Sequence, residues 1–133
     1  MYFARTPQSR QRGVSMIGFL FFAVIAVMLA ILAMKLIPAY VEFFSVKKIL
    51  TSMGQESDIR SKSNADIRKD FSRRASAGYV TEVKPEDLTI DRSSGVPVIT
   101  ADYTFRTKLV GHASLVIDFS ASSDPNAAPP QIE

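Results

Sequence analysis

The chain has no cysteine, no tryptophan and a single histidine in 133 residues. Without cysteine there are no disulfides and no thiolate metal sites, so no covalent staple supports a small core. His112 is left as the lone candidate for general-base work, and no serine or acid is tied to it by a recognisable motif. A metal would need carboxylates alone, and Glu86-Asp87 with Asp91 lacks the acid-rich spacing of a calcium loop. Gly111 is isolated, so no glycine-rich loop can cradle phosphate. The chain therefore reads as a non-enzyme with no cofactor.

Acidic residues are also missing from the first 34 positions, where Arg5, Arg10 and Arg12 carry the only charges. Of the 16 lysines and arginines, thirteen remain from Lys35 onward, against all 13 acidic residues. The net charge of +3 therefore sits entirely on the N-terminal tail. A basic footprint for nucleic acid is excluded, and the arginines read instead as an orientation signal.

What is present is one long apolar run. Val14–Met34, VSMIGFLFFAVIAVMLAILAM, carries no charge, with Arg12 before it and Lys35 after it. As an α-helix it spans roughly 31 Å, against the ~30 Å hydrocarbon core of a bilayer. It is longer than the apolar region of a signal peptide and no A-x-A site follows, so it reads as an uncleaved transmembrane helix. The crowded arginines put residues 1–13 in the cytoplasm as a polar tail and the following domain across the membrane. Ala23, Ala26, Ala30 and Ala33 fall within about 80° of one another on the helical wheel, and Ser15 shares their arc. Small residues on one stripe allow close approach of a second helix, from another copy or another membrane protein.

Beyond the span, Pro38 can kink a helix or begin a new one. Tyr40, Phe43 and Phe44 form an i, i+3, i+4 cluster suited to the membrane interface or a partner. Val46, Ile49, Leu50 and Met53 form a second stripe suited to a core, and Gly54 is a natural stop. Gln55–Ser63 reads as a polar connection. Asn64 then offers an N-cap for a short helix carrying Ile67, Phe71 and Ala75, which Gly78 ends. Its basic RKDFSRR run reads as a solvated face balanced by Asp66 and Asp70.

From Asp87 the period becomes two. Leu88 and Ile90 alternate with polar residues, Ser93-Ser94-Gly95 turns the chain, and Val98–Leu109 alternates again. A turn at Val110-Gly111-His112 leads into Ala113, Leu115, Ile117 and Phe119. Asp102, Arg106 and Asp118 read as cross-strand charge pairing. The predicted fold is α+β: a transmembrane helix with a helical extension, a second short helix, and a three-stranded antiparallel sheet covered by that helix. Residues 35–121 form the domain and 122–133, with Pro125, Pro129 and Pro130, a disordered tail.

Arg12-Gly13-Val14-Ser15-Met16-Ile17 resembles the start of type IV pilin-like proteins, in which a basic-glycine leader precedes the apolar helix. It differs from them at Gly18, where they carry glutamate. Over RGVSMIGFL, KLIPAYVEFFSVKKIL and DYTFRTKLVGHASLVIDF the chain resembles a proteobacterial family of short single-span proteins of unknown function. Its members are often encoded near leader peptidase and ribonuclease III. The resemblance implies an inner-membrane protein with a periplasmic domain. Its gene neighbourhood also suggests an accessory to the leader peptidase. The expected partners are the membrane, a second copy, or another envelope protein.

Overall fold

A computed structural model describes Gly13 and residues 15–126. The basic tail with its three arginines, Val14, and the end of the proline-bearing tail lie outside the described residues. The chain divides into two compact units, one through Ala33 and one from Met34.

In the first unit, helix α1 (Met16–Gly54) begins directly after Ser15, whose carbonyl accepts from Phe19 N–H at 2.9 Å. Ser15 therefore starts the helix from just outside it. None of the large apolar side chains from Met16 to Ile31 is buried. A core helix of this composition would be covered by other elements, whereas this one is bare, and it is long and apolar enough to cross a membrane.

The second unit is α+β. α1 continues through Pro38 without a break, so the proline lies inside the helix. From here its inward side chains, Ala39, Val46, Leu50 and Met53, are buried. Helix α2 (Asn64–Ala77) contributes Ile67, Phe71 and Ala75 to the same core. Its N-cap is Ser63 and not Asn64: the Ser63 hydroxyl accepts from Asp66 N–H at 3.1 Å. A 3₁₀ turn (Pro85–Asp87) leads into β1 (Leu88–Asp91), β2 (Val98–Val110) and β3 (Ala113–Ser122), paired antiparallel in that order.

Register follows the alternation. Ile90 stands opposite Ile99, Leu88 opposite Ala101, and Tyr103 opposite Phe119, so the apolar residues share the core face. β3 runs past the expected end of the domain. Ser123 is also buried, donating from its N–H to Ile99 O at 2.8 Å and accepting Ile99 N–H on its hydroxyl at 2.9 Å. These paired bonds hold Ser123, inside the stretch expected as a tail, against the sheet. The other cover for the sheet, beside α2, is α1: Phe43 stacks on Phe119 at 5.1 Å, and Tyr40 meets the same ring edge-on at 5.5 Å.

Candidate functional site

The second half of α1 has two faces with opposite fates. Side chains at Ala39, Val46, Leu50 and Met53 point into the core. On the other side, Ile37, Tyr40, Val41 and Phe44 recur at i, i+3, i+4 and i+7 and are 61, 44, 59 and 62% exposed. Four large apolar side chains on one stripe of a folded unit form a patch with a use, since single exposed residues are normal and contiguous ones are not. The stripe leads into an open groove lined by Phe44, Lys47, Lys48, Thr51, Ser52 and Gln55. Chemically it is an apolar rail ending in two ammonium groups.

Its surroundings are fixed. Glu42 flanks the core-facing side of α1, and its carboxylate accepts the backbone N–H groups of Thr81 and Glu82, each at 2.6 Å. These charge-assisted bonds tie the segment after α2 to α1. Behind the stripe, Tyr103 stacks on Phe119 at 5.4 Å. Burial, and then the carboxylates of Glu42 and Glu82, push the Tyr103 phenol up to about 12, and its hydroxyl has no hydrogen-bond partner among the described residues.

The aromatic trio expected at an interface is divided. Phe43 turns inward onto the core, Tyr40 straddles core and surface, and Phe44 faces outward. A helix positions i+3 and i+4 about 100° apart, so adjacent aromatics cannot share one fate. Ile37 and Val41 complete the exposed stripe, and sequence reasoning passed over them although the spacing 37, 40, 41, 44 was there to be counted. Ala26, Ala30 and Ala33 are exposed on α1, with Ala23 half-exposed.

The remaining candidates fall into structural roles. His112 is exposed in the β2–β3 turn. Asp118 accepts from the Thr104 hydroxyl at 2.7 Å, and Arg106 stands opposite Val116, so the register gives no charge pairing across this part of the hairpin. Asp70 and Arg74 of the basic run are not a free face. With Glu56 and Lys62 they form a half-buried network in which Lys62 Nζ lies 2.7 Å from Glu56 and 3.0 Å from Asp70, and Arg74 also reaches Glu56. Among the described residues, no three His, Asp or Glu side chains are placed to hold a metal ion.

A family model described as a domain of unknown function (DUF4845) matches residues 35–119. No curated protein matches the chain. No solved structure matches it either.

Proposed function

The chain belongs to the DUF4845 family, and from that premise we propose a non-enzymatic, single-span inner-membrane protein whose periplasmic domain docks an envelope protein. The observation that carries this reading is the exposed rail of Ile37, Tyr40, Val41 and Phe44. A side chain such as Phe44, held on a rigid helix and already dehydrated on one side, loses little conformational freedom when covered. Lys47 and Lys48 at the end of the rail favour a partner with an apolar helix face bordered by carboxylates. The alanine stripe offers a second contact of the same kind within the bilayer, to another copy or another membrane helix.

Site-specific photocrosslinking tests the reading. With a benzophenone side chain at Phe44 in the full chain, we expect a discrete adduct in cells that is absent when the probe sits at Thr104, on the polar face of the sheet. Equal labelling from both positions contradicts the docking role.

The continuity of α1 through Pro38, with its second half packed on an antiparallel sheet, favours a second reading as a pilin-like subunit. N-terminal mass spectrometry separates the two. A mature chain beginning at N-methylated Val14 supports the pilin-like reading, and a chain retaining residues 1–13 removes it.

A further inference from the structure

The β2–β3 hairpin outgrows the core it belongs to. β1 pairs only with residues 98–101 of β2, so beyond Ala101 the sheet narrows to a ribbon of two strands. Burial fades along it: Ile99, Ala101 and Tyr103 are buried, Phe105 and Leu109 are half-buried, and no residue from Thr104 to Asp118 is buried. An isolated two-stranded ribbon is marginal in water; Phe105 and Ile117 still pack against the core, and that support fades toward the turn.

Three contacts fix its direction along the second half of α1. Ser123 lies beside Gly54, Phe119 beside Tyr40 and Phe43, and the Lys108 carbonyl accepts from the Lys35 ammonium. The ribbon therefore runs along the helix toward Lys35, the first charged residue after the apolar run. Lys35 borders the hydrocarbon core of a spanning helix, so the Lys108 contact sets this end of the ribbon at the level of a headgroup layer about 5–8 Å deep.

The composition of the ribbon suits that layer. Residues 105–117 contain no aspartate or glutamate, while Arg106 and Lys108 are exposed and Lys35 stands beside them. Val110 and Val116, 68 and 50% exposed, present apolar surface between these cations. Cations around a few apolar side chains suit an anionic lipid surface, where charge attraction and shallow insertion add.

We propose that the distal hairpin rests on the anionic headgroups of the bilayer that α1 crosses, bracing the domain against the membrane. The proposal rests on the membrane-spanning reading of α1, and its test separates the two. The chain has no tryptophan, so single substitutions report without background. Val110→Trp, Leu29→Trp in the apolar run, and Ser94→Trp at the β1–β2 turn are made in the full chain. Each is placed in vesicles of phosphatidylcholine with a minority of phosphatidylglycerol, and circular dichroism checks the fold.

Quenching by lipids labelled near the headgroup should be several-fold stronger for Val110→Trp than for Ser94→Trp, with a blue-shifted emission. Omitting phosphatidylglycerol should weaken it. If Leu29→Trp is quenched by labelled acyl chains while Val110→Trp behaves like Ser94→Trp, the hairpin proposal falls and the membrane span stands. If Leu29→Trp also escapes quenching, the spanning reading falls with it. A Val110→Trp signal that fades as protein is diluted in lipid assigns the contact to a second copy and overturns the proposal. Insensitivity to phosphatidylglycerol overturns the anionic-headgroup assignment.

Discussion

Tyr79 adopts a left-handed backbone, φ 56°, with its side chain 89% exposed. It occupies the position after the α2 cap where glycine normally sits: Val80 N–H donates to Ala75 O at 2.9 Å and Tyr79 N–H to Ser76 O at 3.4 Å. Gly78 caps the helix end as expected, with φ −90°, and the left-handed residue is the one after it. An L-residue pays about 1–2 kcal/mol in this conformation, and glycine's looser unfolded state offsets part of that. Tyr79→Gly should therefore stabilise the chain by about 1 kcal/mol, read as a higher thermal midpoint in detergent by circular dichroism. A lower midpoint would mean that the Tyr79 side chain makes a contact the fold needs. Gly54 ends α1 as expected, but for another reason. Its conformation is not left-handed, and glycine is needed because a Cβ there would stand 2.9 Å from the Ser123 Cβ. Gly54→Ala should cost roughly 1–3 kcal/mol in the same measurement, the range for overpacking a close contact.

At the scale of elements, the strands and the core face of α1 were legible because period two and period 3.6 are imposed by burial itself. Ile99, Ala101 and Tyr103 alternate inward as expected, and Val46, Leu50 and Met53 form the predicted core stripe. The connection between α1 and α2 was not legible. Residues 55–63 look like a polar linker, yet Ile59 is 2% exposed, and the Arg92 guanidinium donates to Asn64 Oδ1 at 2.8 Å and to Lys62 O at 2.5 Å. Partners so distant in sequence leave no periodic trace.

The same connection carries the acid response. Lys62's ammonium, and then Arg74, hold the Glu56 carboxyl below its ordinary 4.5 against the opposing pull of burial. Lys62 likewise holds Asp70 below its ordinary 3.8. Carboxyls lowered in the folded state stabilise it above those ordinary values, and that stabilisation is lost as pH falls through the folded ones. Hydrogen bonds to Glu56 and Asp70 raise Lys62, whose contribution holds below its ordinary 10.5 and fades only at higher pH. The thermal midpoint should therefore be flat through neutral pH and fall below about pH 4.5. Lys62→Met should lower the neutral midpoint and make the acid limb shallower. An acid limb unchanged in Lys62→Met would remove this network as its source.

For the whole molecule, the candidate site was half legible. Tyr40 and Phe44 were singled out from spacing and composition, and the exposed rail contains both. Its completion by Ile37 and Val41 was legible in their helical spacing, whereas the removal of Phe43 to the core depended on where Phe119 comes to lie, which only the register of β3 decides. The hairpin's course toward Lys35 was likewise invisible, because it follows from the lengths of β2 and β3 set against α1.

The proposed function stands on one arrangement: a helix that spans the membrane once, with its arginine tail in the cytoplasm and the DUF4845 domain on the other side. A chain without cysteine allows that arrangement to be read directly with single thiols and a membrane-impermeant maleimide on spheroplasts. Ser94→Cys should be labelled in intact spheroplasts and Ser9→Cys only after lysis, with both proteins remaining in the membrane through an alkaline wash. Labelling of Ser9→Cys but not Ser94→Cys before lysis, or release of the chain by the wash, would contradict the account.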